Sequence, residues 1–392
     1  MNHSPQPTTS NWGQAPHNRR SFQIMQELFP SCRLPRGPAL GPEPAARPRD
    51  ILDWEYHCTS GALRSVAELL DDTCCDAFLV LQGDELLAEH YFNGMRANSH
   101  HLVNSVTKTF VGMLTGIAVE RGQLDPDRLV ADYVPELGTP AWAGTTLRHL
   151  LDMSAGVRYE EEYNDPQTDF WREAAVVGWH PALVTASTPA TLLDYARSLR
   201  GKAREDGSMF YYTSVATNVL GMALERAMGQ PLSALLAAEL WGRLGMRHDA
   251  SIVVDRSGFP YVGAGMSACA RDLLNFGRML NSGGSLRGEC IVPASWIDDT
   301  LRGDASSKQC FADGMYGPAL PGWHYRNQMW VKDTEGGVML SLGIHGQVIY
   351  MDRDRELVMV VLSSQPVAAS VDTYMAVFGG LEAVAERLDN GG

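Results

Sequence analysis

Apolar and polar residues follow two different patterns in the first third of the chain. Between Ala77 and Phe92, two apolar runs flank Gly83-Asp84, which predicts a β-hairpin with its turn at that dipeptide. From Ser105 to Glu120 the period changes to that of a helix, with apolar residues at Val106, Phe110, Met113, Leu114 and Ile117. Gly122 is expected to end this helix, because glycine readily adopts the left-handed conformation of a C-terminal cap.

The middle of the chain, about 125–265, has the pattern of a mostly helical region with long irregular loops. Its clearest predicted helices are Thr146–Gly156 and Thr217–Gly229, each closed by glycine. Near the C terminus, the runs GVMLSLGIHGQ, VIYMD and ELVMVVLSS follow one another closely, and Arg353–Arg355 joins the last two. These short connections predict antiparallel strands. A final helix is expected around Met375–Arg387.

Strands near both ends of the chain, with helices between them, predict an α+β fold. One antiparallel sheet would be built from both chain ends and flanked by helices, and the mostly helical region would be inserted into it. We therefore expect a surface arm over 1–50, an α/β sheet domain formed by 51–130 and 265–392, and a helical domain over 131–264.

Composition narrows the classes of function. The 392 residues can bury a sizeable core, and the formal net charge of −14 argues against a nucleic-acid partner. The polar N terminus shows no export signal, and no run approaches the roughly 20 apolar residues that span a bilayer. We therefore expect a cytoplasmic protein without membrane contact. Seven cysteines without C-x-x-C spacing predict reduced thiols, and neither a metal nor a cofactor is expected.

The stretch LVNSVTKTFVG places Ser105 and Lys108 three residues apart at the start of the predicted helix. Residues at this spacing share one helix face, with Cβ atoms about 5–6 Å apart, so the amine can reach the hydroxyl. A serine hydroxyl needs a base to act as a nucleophile, and a lysine can be that base only if its pKa falls to about 7–8. A capping serine beside a solvated lysine has the same spacing, so both interpretations stay open at this point.

Two later motifs offer further groups for such a site. Tyr212, in FYYTSVATN, precedes a predicted helix and could relay a proton to a leaving group, or could be a packed aromatic. In SLGIHGQ, Gly343 and Gly346 allow a close approach, so backbone N–H groups there could join that of Ser105 as an oxyanion hole; a β-bulge is the alternative. A competing motif, GMSAC, resembles a nucleophile elbow without its last glycine, and Ser267 is expected to cap the next helix instead.

The motifs SVTK, YTS and the glycine-bearing strand, in that order, resemble the serine hydrolases of the class C β-lactamase, penicillin-binding protein and esterase superfamily. PHNRRSF, DYVPEL, EEYNDP and ARDLLNFGRML further resemble the 6-aminohexanoate-dimer hydrolases, over about residues 12–390. The resemblance implies a β-lactamase-like fold and an acyl-enzyme on Ser105. It also implies that Lys108 and Tyr212 transfer protons, and that the backbone N–H groups of Ser105 and Ile344 hold the oxyanion.

The resemblance also implies a set of residues that contact the substrate: Tyr163, Ala174, Trp330, Gly343 and His345. Two departures from the family pattern matter. Antibiotic-directed members carry K-T-G where this chain has Ser341-Leu342-Gly343, which lacks a cation for the β-lactam carboxylate. Efficient dimer hydrolases carry an aspartate eleven residues after the loop tyrosine, where this chain has Ala174, so strong cleavage of the aminohexanoate dimer is not expected.

The expected activity is therefore that of a serine hydrolase acting on small carboxylic esters, with linear amides as further candidates. A D-amino-acid peptidase, a β-lactamase-like enzyme and a non-catalytic scaffold of the same fold remain the alternatives. The expected partner is a small ester or amide substrate, and the sequence leaves a homodimer open.

Overall fold

The structure, a computed structural model, describes residues 6–38, 43–58 and 60–389. Its strands, numbered in chain order, are β1 Ser31–Leu34, β2 Ala45–Ala46, β3 Glu55–His57, β4 Leu63–Ser65, β5 Cys75–Gln82, β6 Glu85–Tyr91, β7 His100–Leu102, β8 Ala250–Val253, β9 Met266–Cys269, β10 Ser285–Leu286, β11 Glu289–Cys290, β12 His324–Arg326, β13 Met329–Asp333, β14 Val338–Gly343, β15 Gln347–Asp352 and β16 Leu357–Ser363. Its α-helices are α1 Asn18–Ser21, α2 Met25–Leu28, α3 Val66–Asp72, α4 Val106–Glu120, α5 Val130–Tyr133, α6 Leu147–Leu151, α7 Asp169–Val176, α8 Leu192–Ser198, α9 Ser214–Met228, α10 Leu232–Leu235, α11 Ala270–Asn281, α12 Ala294–Arg302, α13 Ala305–Ala312 and α14 Val371–Asp389.

The main sheet has eight strands in the order β12-β13-β14-β15-β16-β5-β6-β2. The predicted hairpin is present as β5 and β6, which turn at Gly83. The strand β16 pairs antiparallel with β5, from Leu357 opposite Gln82 to Ser363 opposite Cys75. This pairing joins strands from both ends of the chain in one sheet and confirms the predicted α+β organisation. The short edge strand β2 is the exception to the antiparallel prediction, since it runs parallel to β6.

The predicted helix after Ser105 is present as α4, and it is buried from Val106 to Ala118. The helix α4 lies in the interior, where it contacts both α9 and the strands β13, β14 and β15. Gly122 follows with φ +66°, as a left-handed cap requires. The side chains of the first turn of α4 are therefore held in fixed positions inside the protein.

The first fifty residues do not form an arm that only runs over the surface, as the sequence predicted, because several of them are buried in the fold. Trp12, Phe22 and Met25 are buried, and the Asn18 side chain donates hydrogen bonds to two backbone carbonyls beyond β16, those of Ser364 and Gln365. The strand β1 joins a four-stranded sheet in the order β1-β8-β9-β7. Its partner β8 lies more than 200 residues away, so no local pattern could reveal the pairing. The division of the remaining chain into a sheet domain and a helical domain stays a prediction.

The other predicted helices are present in the structure, and they differ from the predictions mainly in where they begin and end. The helix expected over 146–156 is only α6, and the final helix, α14, begins four residues before its predicted start. The helix α9 ends at Gly229 with φ +68°, in agreement with the pattern. Across the described ranges, no helix has both the length and the apolar character needed to cross a bilayer.

Candidate active site

Ser105 and Lys108 lie together at the start of α4. Ser105 comes directly before the helix, and its side chain makes no capping hydrogen bond. Instead, Lys108 Nζ lies 2.9 Å from Ser105 Oγ and 2.9 Å from Ser214 Oγ, and it donates a third hydrogen bond to the carbonyl of Gly263. Lys108 is completely buried. The interpretation as a capping serine beside a solvated lysine is therefore wrong.

Burial gives Lys108 the electrostatics that a base needs. Desolvation disfavours the ammonium form and lowers the pKa of Lys108 from 10.5 to about 8, against the opposing pull of Glu161 and Glu173. At neutral pH, a pKa of about 8 leaves roughly a tenth of the lysine in its neutral form, whereas an exposed lysine is almost wholly protonated. The neutral amine can accept a proton from the serine hydroxyl 2.9 Å away.

Tyr212 closes a triangle with these two side chains. It lies two residues before α9, and its buried ring stacks on Trp330 with centroids 5.7 Å apart. Lys108 Nζ lies 4.9 Å from the Tyr212 ring centroid, and the Tyr212 phenol interacts with the Ser105 side chain. Burial raises the pKa of Tyr212 well above its usual value, so the phenol stays protonated and can donate. The three side chains that the sequence singled out therefore meet at one point.

Two backbone segments converge beside the serine hydroxyl. A Cβ on Gly343 would lie 2.4 Å from the carbonyl oxygen of Val103, so only glycine lets the end of β14 approach the start of α4 this closely. Asn104, in the left-handed region at φ +46°, donates from Nδ2 to the carbonyl of Ile344 at 2.9 Å. Within residues 6–38, 43–58 and 60–389, neither the Ser105 N–H nor the Ile344 N–H donates a hydrogen bond. Both remain available to an oxygen atom in the cavity.

A cavity of about 140 Å³ opens onto Ser105. No charged side chain is among its described lining residues, and its wall is mainly apolar: Ala319, Leu320, Leu342, Val371, Met375 and Phe378. Its polar side chains include four tyrosine phenols: Tyr163, Tyr212, Tyr316 and Tyr374. Such a wall accommodates a neutral molecule with an apolar group and provides no counter-charge for an ionic one.

The five expected substrate contacts divide into two groups. Tyr163, Trp330 and Gly343 line the cavity. Ala174 does not, because α7 presents it to the interior, where it is completely buried. His345 also points away from the cavity, since its backbone takes a left-handed turn at φ +63° and its Nδ1 lies 2.7 Å from the carbonyl of Gln365. The assignments of Ala174 and His345 to the substrate site are therefore wrong.

Sequence reasoning missed the acidic residues behind the site. Glu161 Oε1 accepts a hydrogen bond from Ser214 Oγ at 2.7 Å, and Glu161 Oε2 accepts one from the Ser214 N–H. Glu173 accepts from Asn218 Nδ2 at 2.6 Å and from Tyr159, and burial raises the pKa of Glu173 to about 8. For Glu161, the only signal was the acidic pair in EEYNDP, which does not indicate which of its two glutamates is buried.

One further sequence assignment, that of Ser267, has a clear outcome. Ser267 does not cap a helix: it lies in β9, and Cys269 precedes α11 instead. Cys269, His248 and Asp272 place possible metal-binding atoms within 4.8 Å of one another, but none of them lines the cavity. Asp272 already accepts hydrogen bonds from the N–H groups of Arg247 and His248, and burial raises the pKa of the Cys269 thiol.

Comparison with known proteins agrees with this geometry. Residues 64–381 match the Beta-lactamase family. The chain belongs to this family. A family relative, the 6-aminohexanoate-dimer hydrolase of Paenarthrobacter ureafaciens, is 35% identical over 364 residues, which cover 92% of this chain and 89% of the relative. Esterase EstB of Burkholderia gladioli is 30% identical over 162 residues, 39% of this chain and 38% of the esterase.

The solved structures confirm the β-lactamase-like fold. A Bacillus anthracis structure provisionally assigned as a 6-aminohexanoate-dimer hydrolase superposes with a TM-score of 0.89. It covers 99% of both chains at 24% sequence identity. The family resemblance expected from the motifs is thus confirmed along nearly the whole chain.

Proposed function

We propose that the protein is a serine hydrolase that cleaves small, uncharged carboxylic esters, and linear amides more slowly, through an acyl-enzyme on Ser105. The observation that carries the proposal is the buried amine of Lys108, 2.9 Å from the Ser105 hydroxyl at the wall of an uncharged cavity. The names of its relatives, a hydrolase of an amide dimer and an esterase, support the same class of reaction.

In the first half of the reaction, neutral Lys108 takes the proton of Ser105 Oγ as that oxygen bonds to the carbonyl carbon. The N–H groups of Ser105 and Ile344 stabilise the oxyanion. When the tetrahedral intermediate collapses, the bond to the leaving alcohol or amine breaks, and Tyr212 donates the proton that this group needs. The Lys108 ammonium then returns a proton to Tyr212.

In the second half, water attacks the acyl carbonyl and loses a proton to the neutral amine of Lys108. The second tetrahedral intermediate expels Ser105 Oγ, which regains the proton, and the carboxylic acid leaves. The cycle consumes one water molecule and needs neither a metal nor an oxidant.

The uncharged cavity favours esters over the aminohexanoate dimer, because that dimer carries an ammonium group and a carboxylate. A β-lactam antibiotic or a D-amino-acid peptide is also charged, and the described lining offers neither with a counter-charge. The geometry favours a catalytic role over the scaffold alternative, because it holds Lys108 buried against Ser105 although burial disfavours the ammonium form. A homodimer stays a prediction.

Ser105→Ala tests the proposal against Ser267→Ala as the matched control. Ser267 is buried, and its Oγ has no hydrogen-bond partner among the described residues, so the control removes a hydroxyl that no contact uses. We expect Ser105→Ala to abolish p-nitrophenyl ester turnover and fluorophosphonate labelling, while Ser267→Ala keeps both. Labelling that survives in Ser105→Ala would refute the assignment of the nucleophile.

A further inference from the structure

A buried carboxylate lies one side chain behind the proposed base. Glu161 is 7% exposed and accepts three hydrogen bonds, two from Ser214 and one from the Tyr163 phenol at 2.8 Å. Ser214 in turn accepts a hydrogen bond from Lys108 Nζ at 2.9 Å. A continuous path of hydrogen bonds therefore runs from Glu161 through Ser214 to Lys108.

The direction of each bond in this path follows from which groups can donate. An ionised carboxylate only accepts, so the Ser214 hydroxyl must give its single proton to Glu161. Ser214 Oγ can then only accept from Lys108. The carbonyl of Gly263 also only accepts, which fixes a second N–H of Lys108. A neutral amine has two N–H bonds and one lone pair, so the lone pair is left facing Ser105 Oγ.

We infer that Glu161 is a positioning residue, which acts through Ser214 to hold the Lys108 amine with its lone pair towards Ser105. This inference rests on the proposed function, since it assigns a device that prepares the base of that reaction. Without the carboxylate, the Ser214 hydroxyl is free to turn and donate to Lys108. The lone pair of Lys108 would then point at Ser214, and in that orientation the amine could not accept the proton of Ser105.

The same carboxylate sets the charge balance around Lys108. Both links between the Lys108 amine and Glu161 are shorter than 3 Å, so the two charges lie within about 6 Å of each other. Among the residues that the structure describes, the other ionisable groups facing the amine are Glu173 and Tyr212. Ionised Glu161 stabilises the ammonium form, so its removal should shift the Lys108 titration downwards by about 1–2 pH units.

The composition of the chain allows a direct measurement of that titration. It contains only four lysines, Lys108, Lys202, Lys308 and Lys332. Labelling with lysine enriched in ¹³C at Cε should therefore give four NMR signals, and the one missing from Lys108→Met identifies the active-site lysine. The titration needs no substrate and no turnover, so it reports on the path even if the proposed reaction is wrong.

Glu161→Gln is the test, and Glu162→Gln is its matched control, because Glu162 is the neighbouring glutamate and is exposed. We expect Glu161→Gln to titrate Lys108 at lower pH and to move the ascending limb of the kcat/KM profile with it. We also expect its kcat at the high-pH plateau to fall at least about tenfold, because the lone pair of Lys108 would no longer be held towards Ser105. KM should change little, because substrate binding does not depend on the orientation of the amine. Glu162→Gln should match the wild type in all three measurements.

The other possible results of these measurements each contradict a different part of the inference or of the proposed function. An unchanged Lys108 titration in Glu161→Gln overturns the ionic link, and a shifted titration with an unchanged plateau kcat overturns the positioning role. If Glu161→Gln does not fold, Ser214→Ala cuts the same path while keeping every charge, and a wild-type plateau kcat there overturns the inference. A wild type without Ser105-dependent turnover refutes the proposed function instead, and the NMR titration still decides the link.

Discussion

Replacement of Lys108 by methionine should abolish activity and stabilise the protein, because the buried ammonium is costly in the folded state. The pKa of Lys108 falls from 10.5 to about 8 on folding. At 1.36 kcal/mol per pH unit, this difference of about 2.5 units amounts to roughly 3 kcal/mol against the folded protonated form. Methionine fills a similar volume without a charge. The carbonyl of Gly263 loses a donor, which offsets part of the gain.

The pH dependence gives the sharper test, because it does not depend on how well methionine packs. Below pH 8 the lysine is protonated in both the folded and the unfolded protein, so the full destabilisation by the buried ammonium is present. Between pH 8 and 10.5 the unfolded lysine binds a proton that the folded one has released, so the wild type gains stability as pH rises. The advantage of Lys108→Met should therefore narrow by about 2 kcal/mol between pH 7 and pH 9.5.

Urea unfolding of both proteins at several pH values measures this difference. Tyrosine and cysteine ionisation affects the two proteins alike, so it cancels when their unfolding free energies are subtracted. A stability gap that stays constant from pH 7 to 9.5 would refute the reasoning, because it would mean that the folded lysine keeps an ordinary pKa. Lys108→Met should also lack ester turnover at every pH.

Three further predictions test separate parts of the site. The kcat/KM of the wild type for a neutral ester should rise with pH to a plateau with an apparent pKa of about 8, and a flat profile between pH 6 and 9 would exclude Lys108 as the base. Tyr212→Phe should lower the turnover of an anilide about 10²-fold and that of a p-nitrophenyl ester only a few-fold. The leaving amine of the anilide needs a proton, whereas p-nitrophenolate leaves without one. Equal losses of turnover for the two substrates would contradict the role of Tyr212 as proton donor. Ala174→Asp should lower the thermal midpoint without raising amide turnover, because it buries a carboxylate at a position that is completely enclosed. Ala174→Asn separates the effect of charge from that of size, and faster amide turnover in Ala174→Asp would place residue 174 in the substrate site after all.

The parts of this fold that could be predicted depend on contacts close in sequence. The hairpin of β5 and β6 and the helix α4 follow from local periodicity, and Ser105 and Lys108 meet because one helical turn separates them. The pairing of β1 with β8 depends instead on residues more than 200 positions apart, so the local pattern of the first fifty residues predicts only an arm. Local patterns carry no information about such contacts.

The candidate site shows the same limit at the level of single side chains. Glu161 and Glu162 are adjacent and chemically identical, yet one is buried against Ser214 and the other is exposed. Ala174 and His345 were placed by resemblance, which fixes a position along the chain but not the direction of a side chain. The register of α7 turned the first inward, and a left-handed backbone turn directed the second towards Gln365.

The charged groups around Lys108 are separate from the cavity in front of Ser105. The groups that tune the base, Glu161 and Glu173, lie behind it and do not line the cavity. They act on Lys108 through buried contacts, where water does not screen them. The described residues that line the cavity in front of Ser105 carry no charge, so the proposed hydrolase should select its substrate by shape and apolar contact. A change of specificity towards charged substrates would therefore require new charges on the cavity wall, at positions such as Leu320 or Met375, and would leave the buried network intact.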